Sequence, residues 1–187
     1  MAMTTTALIL IDVQRGFDDP RLGPRNNPGA EANIKTLLDA WTAAGQPVVL
    51  VRHDSLFEDT PLTVGTPGIQ FKPELDGARP DLMFTKNVNS AFHGHIDLNA
   101  WLTGRGINRI AIAGIQTNLC VETTARVGGN LGYDVHVALD ATFTFDQAGP
   151  DGSVLTADEL YRATATNLHG GRFATVASTK DVLGLLD

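Results

Sequence analysis

Six short apolar runs recur along the chain, alternating with stretches of helical spacing, and this alternation constrains the fold more than any other feature. The runs are ALILID (7–12), PVVLVRH (47–53), DLMFTK (81–86), RIAIAGI (109–115), YDVHVALD (133–140) and, near the end, FATVAS. Continuous rather than alternating apolar character marks strands buried on both faces. The stretch NPGAEANIKTLLDAWTAAG places Ile34, Leu37, Leu38 and Trp41 on one helical face, with Asn27 as the cap, Pro28 in the first turn and Gly45 as the stop. IDLNAWLTGRG (96–106), the segment from Cys120 to about Leu131, TADELYRATATNLHG and STKDVLGLLD read as further helices. Thr156 and Glu159 stand at capping-box spacing. Such alternation predicts the α/β class: a three-layer α/β/α, doubly wound domain around a six-stranded, mostly parallel sheet.

The length of 187 residues suits a single domain spanning 1–187. Residues 54–80 and 141–155 break the pattern. They are rich in Gly, Pro, Asp and Thr, and loops of that length serve as lids, binding loops or interface arms. The net charge of −7, with no basic cluster, argues against nucleic acid or an anionic membrane as partner. One cysteine excludes an internal disulfide. The start, MAMTTTALILIDVQ, has no basic region, and its apolar run ends in Asp12, too short for a signal or membrane segment. A cytoplasmic location is the expectation.

Ligands of open α/β sheets bind beyond the carboxyl ends of the strands. At those ends stand Asp12 after the first strand, Lys86 at the end of the third, Cys120 in the turn after the fourth, and Asp140 at the end of the fifth. Taken singly, each has a plain reading: a small buried thiol, a turn-capping acid, an exposed lysine. Together Asp12, Lys86 and Cys120, an acid, an amine and a thiol at three strand ends, form a candidate catalytic set. A thiolate is the nucleophilic form, and a helix N-terminus with a nearby ammonium would favour it. Asp12 could take the thiol proton and return it to a leaving amine, while backbone N–H groups of the tight turn cradle an oxyanion.

Three motifs in order and at matching spacing, ALILIDVQRGF, KNVNSAF and GIQTNLCVETTAR…GY, resemble the isochorismatase-like cysteine hydrolases over roughly residues 7–146. That superfamily includes nicotinamidases, N-carbamoylsarcosine amidohydrolases and ureidoacrylate or biuret hydrolases. The resemblance implies Asp12 as general acid/base, Lys86 as support for the thiolate and Cys120 as nucleophile. It implies a non-proline cis peptide between Ile115 and Gln116, with the N–H groups of Gln116 and Cys120 as the oxyanion hole. It also implies a six-stranded parallel sheet and a homodimer or higher homo-oligomer. Phe17, Phe92 and Gln14 are candidate pocket residues, with Ser90 in support. Nicotinamidases carry a metal-binding Asp and histidines after the second strand. Here VRHDSLFEDTPLTVGTPG offers Asp54 but no histidines at the following places, so the expectation is no metal, no cofactor and a substrate other than nicotinamide.

The implied activity is hydrolysis of a C–N bond in a small amide, ureide, carbamoyl or lactam substrate through a thioester. Streptothricin-type lactam hydrolases are a less specific likeness within the same superfamily. Two other readings stay open: vinyl-ether hydrolysis with Asp12 as acid, and a non-catalytic binding or assembly protein. An activated Cys120 thiolate should alkylate faster than a free thiol. His93 and His95 in HGH lack a third metal ligand at a recognisable spacing, but a His93–Cys120 dyad is a rival to the Asp12–Lys86–Cys120 triad. GGNLG (128–132) stands at a helix end, where Gly132 is the stop rather than part of a phosphate loop. Glu122 and Arg126 have the i,i+4 order of a helix-supporting ion pair, and Arg126 could also touch an acidic substrate.

Overall fold

The computed structural model describes residues 4–187. In chain order the elements are β1 (Thr6–Ile11), α1 (Ala30–Ala43), β2 (Val48–His53), β3 (Leu82–Lys86), α2 (Leu98–Thr103), β4 (Arg109–Ile115), α3 (Glu122–Asn130), β5 (Asp134–Phe143), β6 (Gln147–Ala148), β7 (Val154–Leu155), α4 (Ala157–Gly170), β8 (Thr175–Ala177) and α5 (Thr179–Leu183). Six strands form one sheet in the order β3-β2-β1-β4-β5-β8, with every neighbouring pair parallel. This is the doubly wound α/β architecture that the apolar runs predict.

The strands are apolar throughout because both faces are covered. In β1, Ala7, Ile9 and Ile11 pack with Leu98 and Leu102 of α2, Ala125 of α3 and Leu168 of α4. The intervening Leu8 and Leu10 pack with Ile34, Leu37 and Trp41 of α1 and Val182 of α5. The period of two in a strand thus divides the core into two layers, and each fully buried Leu or Ile contributes about 1.5–3 kcal/mol. The Trp41 indole N–H donates to the Thr6 carbonyl at 2.8 Å, which satisfies a buried donor and fixes α1 against the sheet.

Several boundaries differ from the sequence reading, each for a local reason. Helix α1 starts at Ala30 with Gly29 at its N-cap. Asn27 is instead left-handed, φ 48°, and its side-chain amide donates to the carbonyls of Asp140 and Thr142. Strand β5 does not stop at Asp140. After a register shift between Ile112 and Gly114 it continues to Phe143, pairing Gly114 with Thr142 and Ile115 with Phe143. Asp140 sits inside the strand, and its carboxylate accepts from the Thr179 N–H and hydroxyl at the start of α5. It caps a helix and is no part of a catalytic edge. Helix α2 is confined to Leu98–Thr103, capped by Asp97, which accepts from the Ala100 N–H. Segment 141–155 contains the small antiparallel pair β6–β7. The capping box of Thr156 and Glu159 forms as the spacing predicts.

Gly114 lets β4 lie close to β1. Its φ is 131°, and a Cβ there would stand 2.0 Å from the Ile11 carbonyl oxygen. Both strand backbones would have to move to admit a methyl group. Gly114→Ala is therefore expected to lower the unfolding free energy by at least about 2 kcal/mol, read from urea denaturation. An unchanged midpoint would show that the β1–β4 contact tolerates the extra carbon.

Candidate active site

Strand β1 lies between β2 and β4, with sheet on either side of it, so a crevice opens at the carboxyl ends of β1 and β4. Asp12 follows β1 directly. Its backbone is left-handed at φ 53°, a conformation that costs roughly 1–2 kcal/mol for a residue with a side chain and that Asp tolerates better than most. Its N–H donates to the Val51 carbonyl, and the side chain is fully buried.

Lys86 ends β3, the edge strand, and is also fully buried. Its ammonium makes three contacts: 2.6 Å to Asp12 Oδ2, 3.1 Å to His53 Nδ1 and 3.3 Å to Cys120 Sγ. Three partners match the three hydrogens of the group. His53 ends β2 and is the register partner of Lys86 across the β2–β3 pair, so the sheet itself delivers both side chains to one point. Cys120 lies in a wide helical turn, Thr117–Val121, which runs directly into α3 and follows a cis peptide between Ile115 and Gln116. The structure thus brings together the three residues selected by the strand-end reading. It adds His53, which that reading missed although the residue ends the second strand.

The electrostatics of this cluster differ from the sequence expectation. Burial raises the Asp12 carboxyl above its usual range, against the opposing pull of Lys86. Burial, and then the Asp12 carboxylate, pushes the Cys120 thiol well above the ordinary thiol range; Lys86 opposes this but is outweighed. The resting thiol is therefore protonated, and the expectation of a thiolate favoured by helix and lysine is corrected. Faster alkylation than a free thiol does not follow. The second Asp12 oxygen, Oδ1, is buried without a hydrogen-bond partner. One ligand atom each from Asp12, His53 and Cys120 lies within 4.8 Å of the others, so the carboxylate and the thiol are neighbours. His53 is held below its ordinary value by burial and by the Lys86 ammonium, which keeps it neutral near pH 7.

That same trio has the ligand types of a metal site, but the Lys86 ammonium is hydrogen-bonded to all three and already supplies the cation. Asp54 gives both carboxylate oxygens to the Arg52 guanidinium, at 2.7 and 2.8 Å. The residues after β2 therefore do not fit the metal centre of a nicotinamidase.

The other candidates separate cleanly. A cleft of about 390 Å³ opens beside His53 and Gln116, walled by Phe17, Phe57 and Leu62, with Asp59 at its lining. Most of this wall comes from segment 54–80. Phe17 lines this cleft. Gln14 does not: its amide donates to the His53 and Ile69 carbonyls and accepts from the His53 N–H, tying β1 to β2. Phe92 does not either; it stacks on Tyr133 with ring centroids 5.7 Å apart. Ser90 accepts from the Phe92 N–H. His93 is exposed, and no hydrogen bond joins it to Cys120 among the described residues, which removes the His93–Cys120 dyad. His95 Nδ1 pairs with the Thr85 hydroxyl at 2.6 Å. Arg126 pairs with Glu122 as its spacing predicts and lies over the Phe173 ring. Segment 141–155 reaches the site indirectly, through Thr144 and Gln147 bonded to the Asn118 side chain. The N–H groups of Gln116 and Cys120 make no hydrogen bond to any group outside their own turn among the described residues.

A buried Asp–Lys–Cys cluster thus stands at the switch point of a six-stranded parallel sheet. The chain belongs to the isochorismatase family, whose isochorismatase domain matches residues 6–181. It is 34% identical over 180 residues to the uncharacterized isochorismatase family protein YrdC of Bacillus subtilis, covering 95% of this chain and 94% of that protein. It is 30% identical over 178 residues to Nicotinamidase 3 of Arabidopsis thaliana, covering 88% of this chain and 81% of that one. A crystal structure of an isochorismatase-family protein from Chromobacterium violaceum superposes with a TM-score of 0.91 at 38% identity, covering all of this chain and 95% of the other. No helix among the described residues is long and apolar enough to cross a membrane.

Removing one partner of a buried ion pair leaves an uncompensated charge. Lys86→Met should destabilise the protein by about 3–5 kcal/mol, and adding Asp12→Asn should restore a large part of that loss. Chemical denaturation of the two variants checks it. Equal stability of Lys86→Met and the parent would mean that the ammonium does not hold the cluster together.

Proposed function

We propose that the protein hydrolyses a C–N bond of a small amide, ureide, carbamoyl or lactam substrate, with Cys120 as nucleophile. The observation that carries this reading is the buried ammonium of Lys86, in contact with both the Asp12 carboxylate and the Cys120 sulfur. The name of Nicotinamidase 3, an amidase relative, supports the same class of bond.

The proton inventory closes on Asp12. As Sγ attacks the carbonyl carbon, the thiol proton passes to the free Oδ1 of Asp12. The resulting oxyanion is met by the N–H groups of Gln116 and Cys120, preorganised donors in a site with little water. The Lys86 ammonium offsets the negative charge as it moves from Asp12 to sulfur and oxygen. Asp12, whose raised pKa suits an acid as well as a base, then protonates the nitrogen, and the amine leaves. Water gives a proton to the same carboxylate as it attacks the thioester. Collapse releases the acid and returns the proton to sulfur. A resting thiol beside a resting carboxylate suits such a cycle, because the thiolate arises only when substrate is present to receive its electrons.

Cys120→Ala should lower ammonia or amine release from a turned-over amide by a thousandfold or more, on the order of the losses seen when a covalent nucleophile is removed. An ammonia-release screen over small amides, ureides and lactams, with this variant as control, is the measurement. Parent-level turnover by Cys120→Ala would replace the covalent route with acid catalysis by Asp12, as vinyl-ether hydrolysis requires.

A further inference from the structure

His53 is not needed for the proton cycle, yet it is the third partner of Lys86. Its Nδ1 faces the ammonium at 3.1 Å, and an ammonium has only hydrogens to offer, so Nδ1 is the acceptor. A neutral imidazole that accepts at Nδ1 carries its hydrogen at Nε2. That second nitrogen has no hydrogen-bond partner among the described residues. It is also absent from the fully enclosed, unpartnered side-chain atoms, which are Asp12 Oδ1 and His136 Nε2. His53 lines the cleft. One edge of the ring is thus held by the Lys86 ammonium, the other keeps access to solvent, and the residue lines the cleft.

The charge around this cleft points the same way. Its walls carry no lysine or arginine, and the one acidic side chain among them is Asp59. Four cations outside its walls are already paired. Lys86 is held by its three partners, Arg52 by Asp54, and both Arg25 and Lys72 by Glu31. A substrate carboxylate entering here would lose water and gain no counter-charge, a cost that a buried anion meets only with a partner.

We propose that His53 is a specificity-determining residue of this cleft: held by Lys86 as the neutral Nε2–H form, it donates to a second acceptor on an uncharged, apolar-bodied amide, and the cleft rejects the corresponding carboxylate. This rests on the amide reading above for the identity of the reacting group. It is tested by binding alone, so that the two can fail separately.

The probes are three ring amides of matched shape, titrated into the Cys120→Ala protein by calorimetry: isophthalamide, which has a neutral second acceptor; 3-ethylbenzamide, which has none; and 3-carbamoylbenzoate, which is anionic. Isophthalamide should bind roughly tenfold more tightly than 3-ethylbenzamide, the worth of one hydrogen bond to a desolvated donor. The anion should bind at least tenfold more weakly than isophthalamide. Adding His53→Asn, whose short amide can still face Lys86 but has nothing at the Nε2 position, should reduce isophthalamide to the level of 3-ethylbenzamide and leave 3-ethylbenzamide unchanged. His53→Gln, which extends an amide N–H toward that position, should recover part of the preference. A merely structural His53 would weaken all three ligands alike. Equal binding of the three, no binding of isophthalamide, or preference for the anion overturns the proposal.

Discussion

One buried ammonium organises this site. Lys86 reaches from the edge of the sheet and donates to a carboxylate, an imidazole and a thiol at once. An isolated charge of this kind would be intolerable in a dry core. Here the Asp12 carboxyl meets it at 2.6 Å and His53 faces it through Nδ1. The carboxylate oxygen left free of the lysine is a vacant acceptor in the same cluster as the thiol. The cluster is a set of linked protonation states with a fixed total.

The sheet makes the convergence possible. Asp12 leaves β1, His53 ends β2, Lys86 ends β3 and Cys120 follows β4, four adjacent strands whose carboxyl ends lie on one edge. The β2–β3 register sets His53 opposite Lys86. Gln14 locks the exit of β1 to the end of β2 through both atoms of its amide, so it supports the geometry from below rather than meeting a ligand. The cleft beside the strand ends is walled mostly by segment 54–80.

The architecture was legible in the sequence because continuous apolar runs have only one common home, a parallel sheet covered on both faces. Asp12, Lys86 and Cys120 were legible for a related reason: each is a polar residue at or just beyond the end of such a run. His53 has the same signature, the last residue of PVVLVRH, but it stands between Arg52 and Asp54, whose charges draw attention from it. Asp140 has the signature and is nonetheless structural, because the strand continues past it after a shift in register that no local pattern marks. The state of the thiol was not legible at all. Helix and lysine are visible as residues, whereas the desolvation that outweighs them depends on how completely the folded chain encloses Cys120. Phe17 and Phe92 carry the same sequence signal, yet only tertiary packing sends one to the cleft and the other onto Tyr133.

The central claim is that Cys120 rests as a thiol beside an ionised Asp12, with Lys86 between them. Thiolate absorbance near 240 nm, taken as the difference between the parent protein and Cys120→Ala across a pH titration, measures it most directly. An ordinary cysteine titrates near 8.5. The account predicts that the Cys120 thiolate appears only above that range, since burial and the Asp12 charge both raise it, and that Asp12→Asn shifts its appearance to lower pH by removing the negative neighbour. A thiolate already formed below pH 7 in the substrate-free parent would contradict the account.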